Sequence, residues 1–235
     1  LGKSLDLLPV KLDLTKNDQV QAAVKAALDT FGRLDVLVNN AGYGLLGYFE
    51  EMSDQQIRTQ METNVFGTMG LTRAVLPSMR SHRSDWIINV SSTSGIKSVE
   101  GGSIYSASKF ALEGWTEGLA IELKSFGIQC MIVEPGGMRT DFFNPKTSFT
   151  FSDLKIEDYA KQRDALWNHM MSMGKTVGGD PNRVAEAILK AMQADNPPLR
   201  LLCGKYAAES VDKYLQGRRA EFDAWRAVTE STNFI

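Results

Sequence analysis

The chain has 235 residues, 43% hydrophobic and 23% charged, with a formal net charge of -2. That is enough for one sizeable core, and the charge gives no electrostatic reason to expect nucleic acid or an anionic membrane as partner. No apolar run approaches the roughly 18 residues of a spanning helix, and Leu1-Gly2-Lys3-Ser4 does not open a signal peptide.

In chain order, Leu8–Leu12 reads as a short strand ending at Asp13. A helix follows, capped by Thr15 or Asn17, with Val20, Val24, Ala27, Leu28 and Phe31 as its apolar stripe and Gly32 as its stop. Leu34–Val38 is a continuous apolar run, as in a strand buried on both faces of a parallel sheet. Gly42, Gly44 and Gly47 then spell Gly-x-Gly-x-x-Gly. A dinucleotide-phosphate turn is rejected there, because Asn39-Asn40 is the wrong start and no helix clearly opens at Gly47. Gly174-Lys175-Thr176, which resembles the end of a P-loop, is rejected because no strand precedes it.

Ser53 and Gln56 form a capping box that opens a long helix, with Ile57, Met61, Val65, Leu71 and Val75 toward a core and Asn64 in its middle. Trp86–Val90 is the next strand, then Ser91-Ser92. Ser103–Phe126 is a long helix stopped by Gly127. Ile128–Glu134 is another strand, followed by Pro135-Gly136-Gly137. Residues 138–179 read as irregular and rich in aromatic and Met side chains, either a satellite core or a substrate lid. Asp180-Pro181 opens a helix to about Ala194, Leu199–Leu202 is a last strand, and Lys205–Thr229 is mostly helical. Alternating strands and helices predict an α/β fold. The expected organisation is one domain over 1–235, with a lid region at 138–179 and a helical C-terminal extension at 205–235.

Cys130 and Cys203 each sit in an apolar strand-like run and read as buried free thiols, which fits a reducing, cytoplasmic setting. His82 and His169 have no ligand-like neighbours, so no metal site is expected. The Asn89-Val90-Ser91 sequon lies in a strand-like run and reads as meaningless.

One pair carries chemistry. Tyr105 and Lys109 are four residues apart, on one face of the predicted helix. A phenol has a pKa of about 10. A nearby ammonium favours the phenolate and lowers that value, so the tyrosine can act as a general acid or base. Alone, the pair also fits a solvated helix face.

Taken together with their order, these residues resemble the classical short-chain dehydrogenase/reductase family. Asp13 with Thr15 resembles its adenine-contacting Asp-x-Thr. Asn39-Asn40-Ala41-Gly42 resembles its Asn-Asn-Ala-Gly turn, and Asn64-Val65-Phe66-Gly67 its helix asparagine motif. Ser92, in Ser92-x-x-Gly95, precedes Tyr105 by 13 residues, and Pro135-Gly136 with Thr140 resembles the loop that meets the nicotinamide. The resemblance spans roughly residues 8 to 204. It implies a Rossmann-like doubly wound parallel sheet with helices on both faces. It also implies NAD(P)-dependent interconversion of a ketone and a secondary alcohol.

The implied catalytic set is Asn64, Ser92, Tyr105 and Lys109. Tyr105 transfers the proton, Ser92 supports the substrate oxygen, Lys109 lowers the Tyr105 pKa and contacts the nicotinamide ribose, and Asn64 holds a relay water. The implied cofactor contacts are Asp13, Asn39, Ala41, Gly42, Tyr105, Lys109, Pro135, Gly136, Met138 and Thr140. NADP is named ahead of NAD, although no residue of this chain decides between them. The aromatic and Met content of 138–179 points to a moderately large apolar small-molecule substrate.

One departure stands out. The family opens with a strand, a Gly-rich turn, a helix and a second strand, and here Gly2 is the only glycine before Gly32. The fold is therefore expected to be N-terminally truncated, starting just before the family's third strand. Poor cofactor binding and a bare sheet edge prone to homo-oligomerisation would follow. Two alternatives stay open: a catalytically silent binding or scaffold protein, and a shortened version of an active enzyme.

Overall fold

In the computed structural model, residues 7–83, 85–144 and 148–234 are described. Their main sheet is parallel, in the order β1-β3-β4-β6, built from Val36–Asn39 (β1), Trp86–Val90 (β3), Gln129–Pro135 (β4) and Arg200–Cys203 (β6). A smaller parallel pair joins Gly44–Leu46 (β2) to Phe149–Phe151 (β5).

Alternation along β3 sorts the core into two layers. Ile87 faces Val24, Val75, Met79, Leu119 and Leu123, which come from α1 (Asn17–Phe31), α3 (Thr68–His82) and α4 (Ser103–Leu123). Trp86 and Ile88 face Met131, Val133, Ala191 and Cys203, with α6 (Pro181–Met192) covering that side. Helices on both faces of a mainly parallel sheet make this a Rossmann-like fold. Cys130 and Cys203 are buried and unbridged.

Local signals set several boundaries. Gly32 stops α1 at φ 78°, and Gly127 follows α4 and its terminal 3-10 turn at φ 70°, both in the left-handed region that glycine adopts without penalty. The Ser53–Gln56 capping box opens α2 (Asp54–Met61), and Asp180 caps α6 ahead of Pro181. Lys205–Ala224 forms α7 and Arg226–Glu230 forms α8.

Four expectations are corrected. Leu8–Leu12 is not a strand; residues 7–13 have no regular structure, and Leu7, Leu8 and Val10 are exposed. A strand needs a ladder partner for its backbone groups, and this segment does not pair with β1. The outer edge of β1 leaves Val36 and Val38 41% and 50% exposed, so the predicted two-sided burial fails there. Helix α1 has Lys16, not Thr15 or Asn17, at its N-cap, with no side-chain cap. Residues 138–179 are not irregular: they contain β5 and the 17-residue helix α5 (Ala160–Thr176), which also absorbs Gly174-Lys175-Thr176.

Helix α5 is anchored to the body. Leu166 and Met170 bury against Leu46 of β2 and Phe149 of β5. Arg163 pairs with the buried Glu51, which also accepts from Ile156 N at 2.8 Å. Gly101 (φ 68°) leaves room for Leu166, since a Cβ there would sit 2.2 Å from Leu166 Cδ2.

Candidate active site

Four parallel strands deliver loops to one end of the sheet, the usual ligand side of such folds. Asn39 ends β1, Ser91-Ser92 follow β3, Gly136 follows β4 and Gly204 follows β6.

The first loop is held by a buried polar stripe. Gln60, Asn64, Thr68 and Thr72 lie four apart and are nearly inaccessible. Gln60 accepts from Leu45 N at 2.6 Å and donates to Tyr43 O at 3.0 Å. Asn64 accepts from Tyr43 N at 3.1 Å and donates to Tyr43 O at 2.9 Å and to Ser108 Oγ at 3.2 Å. Ser108 donates in turn to Tyr105 O at 2.7 Å. Asn64 thus ties the 43 loop to α4, and both its amide hydrogens have protein partners. It sits in a π turn, Glu62–Gly67, between α2 and α3, a distortion common at functional sites.

Asn39 turns inward. Its Nδ2 donates to Thr72 Oγ1 (3.0 Å) and to Asn89 Oδ1 (2.8 Å), and Asn89 donates to Thr116 Oγ1 (2.7 Å). Ala41 and Gly42 follow on the exposed side of the loop. A Cβ on Gly42 would lie 3.1 Å from Asn64 Oδ1, so the glycine lets that loop close on the asparagine.

Tyr105 and Lys109 both lie on the buried face of α4, 9% and 7% exposed. Lys109 Nζ donates to Val90 O at 2.9 Å and lies 5.8 Å from the Tyr105 ring centroid. Ser92 caps the short turn after β3, accepting from Ser94 N at 3.1 Å. Phe142 packs on Tyr105 with ring centroids 5.8 Å apart. The expected lowering of the Tyr105 pKa is not what this geometry gives. Burial pushes the phenol up to about 12, with a Ser92 hydrogen bond pulling the other way. Burial pushes Lys109 down to about 8, and the Glu113 charge pulls it back up. Desolvation outweighs the ammonium because Lys109 is directed at a backbone carbonyl rather than at the phenol.

The fourth and sixth strands supply the opposite wall. Gly136 N donates to Cys203 O at 3.0 Å, and a Cβ on Gly136 would lie 2.9 Å from Ala207 Cβ. Pro135 is half-buried. Met138 forms a bridge with Gly179, and Thr140 accepts from Phe142 N at 3.2 Å. Asp13 stands apart, at the turn before α1, accepting from Thr15 N (2.9 Å) and Thr15 Oγ1 (2.8 Å). Leu14 seats that turn against Gly67, where a Cβ would come within 2.8 Å of Leu14 Cβ.

The donor set fits the nicotinamide and ribose half of a dinucleotide: a lysine, a tyrosine and a serine beside a Pro-Gly loop. Sequence reading missed Gln60, Thr72, Asn89, Ser108 and Thr116. Their signal was uncharged polar residues at core-facing positions, the Asn89 sequon included.

A family model described as short chain dehydrogenase matches residues 2–150. The chain belongs to the short-chain dehydrogenase family. This short-chain dehydrogenase is an oxidoreductase working between CH–OH and C=O. It is 38% identical over 197 residues to the 3-ketodihydrosphingosine reductase of Bacteroides thetaiotaomicron, covering 82% of this chain and 71% of that one. Its fold superposes on a short-chain dehydrogenase from Streptomyces avermitilis with a TM-score of 0.86 at 39% identity, over 96% of this chain and 80% of that one. A short-chain dehydrogenase from Burkholderia phymatum, solved in complex with NAD, superposes with a TM-score of 0.76 at 26% identity, over 89% and 76% of the two chains.

Proposed function

We propose that this enzyme is NAD(P)-dependent and interconverts a ketone and a secondary alcohol on a moderately large apolar substrate. The observation that carries the reading is the Tyr105–Lys109 pair on one buried face of α4, with Ser92 beside the phenol at the sheet's ligand end. When bound, the nicotinamide supplies or accepts the hydride. Tyr105 Oη carries the proton of the substrate oxygen, and a phenol held near 12 is protonated at neutral pH, poised to donate. Ser92 Oγ hydrogen-bonds that oxygen and supports the charge developing on it. Lys109, near 8, remains mostly an ammonium at neutral pH and would hold the nicotinamide ribose when the cofactor is bound. Asn64 holds the loop and helix in register through its bonds to Tyr43 and Ser108.

Asp13, Asn39, Ala41, Gly42, Pro135, Gly136, Met138 and Thr140 are assigned to the cofactor, with NADP named ahead of NAD. The described residues of 138–179 act as the substrate lid, and 145–147 lie outside the described residues. Phe142 against Tyr105 and the apolar cluster of Phe149, Leu166 and Met170 support an apolar substrate, as does the 3-keto lipid named for the Bacteroides relative. No described helix is long and apolar enough to cross a membrane. The two free thiols support a cytoplasmic setting, and a homo-oligomer is part of the same proposal.

Tyr105→Phe tests the assignment, with NADH and NADPH assayed against long-chain 3-keto compounds. Turnover is expected to fall by at least about 100-fold with the circular dichroism spectrum unchanged. Turnover within a few-fold of the parent would overturn the role of Tyr105.

A further inference from the structure

Glu113, Glu134 and Arg200 form a buried charge cluster that the chemistry above does not use. Glu113 lies one turn beyond Lys109 on α4 and, like it, faces inward. Glu134 immediately precedes Pro135, and Arg200 opens β6. Arg200 Nε lies 3.3 Å from Glu113 Oε2 and 3.7 Å from Glu134 Oε1, while its Nη2 lies 2.5 Å from Glu117 Oε2. The Glu113 and Glu134 side chains are only 8% and 4% exposed.

The cluster reaches under the site loops. Ser91, next to Ser92, sits close to Glu113. A Cβ on Gly95 would lie 2.5 Å from Ser91 Oγ and 3.0 Å from Glu113 Oε1, so only glycine lets the carboxylate approach this close. Ser91 and Glu134 are near enough to act on Glu113. Even so, Ser91 Oγ, Glu113 Oε1 and Glu134 Oε1 form no hydrogen bond of good geometry. Two buried carboxylates facing one guanidinium, which Glu117 also engages, cannot both stay ionised cheaply. Their titration belongs to the pair.

We propose that Glu113 and Glu134 share one proton beneath the site, and that Glu113, carrying much of the remaining negative charge, is a positioning residue that keeps the buried Lys109 protonated. This rests on the reading of Lys109 as the ammonium beside Tyr105. The groups facing Glu113 are Lys109 and Glu117 on α4, Ser91 after β3, Glu134 on β4 and Arg200 on β6. Lys109 faces the Tyr105 ring, the Val90 carbonyl and Glu113. The directions agree: burial pushes both carboxylic acids up, Glu134 to about 7, and Glu113 is the charge that opposes the depression of Lys109.

The test titrates Lys109 directly in the cofactor-free full chain, following its Cε carbon by NMR against pH. The signal is assigned by its loss in Lys109→Arg. Glu113→Gln removes the charge and is expected to lower the Lys109 midpoint by about one pH unit. Glu134→Gln leaves Glu113 ionised, and because Glu134 titrates at about 7, below the Lys109 midpoint, it is expected to move that midpoint clearly less than Glu113→Gln does and to remove the carboxylate step near that pH from the Glu Cδ signals. The unequal shifts separate this role from general loosening of the core, which would move both variants alike. An unchanged midpoint in Glu113→Gln, or an equal fall in Glu134→Gln, overturns the proposal. If Glu113→Gln does not fold, Glu134→Gln decides alone, and a carboxylate step that persists unchanged overturns it. The alkaline limb of kcat/KM should follow the same midpoint. Because the NMR midpoint needs no turnover, an active Tyr105→Phe would remove the catalytic reading and leave the charge cluster standing.

Discussion

Asn89→Leu removes the hinge of the network that fixes the first site loop. The wild-type side chain is inaccessible to solvent. It accepts from Asn39 Nδ2 at 2.8 Å and donates to Thr116 Oγ1 at 2.7 Å. Leucine has asparagine's branched skeleton but two bulkier methyl ends, so no cavity opens and some overpacking adds to a mainly polar cost. Two hydrogen bonds disappear, at about 0.5–1.5 kcal/mol each. Thr116 keeps its own bond to Leu112 O. Asn39 keeps Thr72 but leaves one amide hydrogen without an acceptor, beside an Oδ1 that is already buried without a donor. An unmet buried donor costs about 1–3 kcal/mol, and the apolar gain of leucine offsets part of the sum. A net loss of about 2–4 kcal/mol is expected, or about 5–15 °C in Tm for a chain of this size. Urea unfolding followed by circular dichroism reads it as a fall in midpoint at constant slope. Asn89→Asp gives a signed check. A buried carboxyl has its pKa raised in the folded state, so the folded protein holds the proton longer than the unfolded one. Stability therefore falls as pH climbs above about 4, and the variant should be weaker at pH 8 than at pH 5. A loss below about 0.5 kcal/mol for Asn89→Leu, or no pH dependence for Asn89→Asp, would refute the account.

Gly67→Ala should drive Leu14 away from the π turn, because its Cβ would arrive 2.8 Å from that of Leu14. Limited proteolysis should then cut faster around Asp13, while the midpoint of global unfolding moves by less than about 1 kcal/mol. Arg33→Ala should destabilise by about 1–2 kcal/mol, a figure kept low because Arg33 is 46% exposed. Burial pushes the Asp85 carboxyl up, while His82 and Arg33 pull it back. A raised carboxyl costs stability above its unfolded pKa, and without Arg33 it rises further. The loss in Arg33→Ala should therefore be larger at pH 7.5 than at pH 4.5, measured by denaturant midpoints at both.

The sequence disclosed the sheet's middle and the helices around it because their signals were local: Trp86–Val90 as an apolar run, Ser53–Gln56 as a reciprocal cap, Gly32 and Gly127 as stops. It also disclosed the Tyr105–Lys109 spacing, since four residues define a helical turn. Leu8–Leu12 failed because a strand is fixed by its neighbour and not by its own propensity. Helix α5 was hidden because its apolar residues meet β2 and β5, which are far away in sequence, and its own pattern is weak. Of the polar stripe of Gln60, Asn64, Thr68 and Thr72, only Asn64 stood out in the sequence, and only through the family resemblance. Periodicity marks which residues share a face, but only the loop at Tyr43 and Leu45 supplies the backbone partners that let polar side chains face inward. The direction of the Tyr105 shift escaped for the same reason: spacing places two groups on a face, and burial decides which charge state that face tolerates.

The π turn at Glu62–Gly67 has a bearing on how this region tolerates changes in length. A wide turn holds one residue more than the α-helix it interrupts. Loss of a residue within it would let α2 and α3 fuse into an even helix, with both flanking stripes still facing the way they do now. Loss of a residue anywhere else along 54–82 would rotate everything beyond it by about 100° and swing Val75 and Met79 off the sheet. The segment that seats Asn64 is thus a spacer whose register the fold does not need. Its extra residue serves the alignment of Asn64 with Tyr43 and Ser108, so its removal should disturb the site before the core.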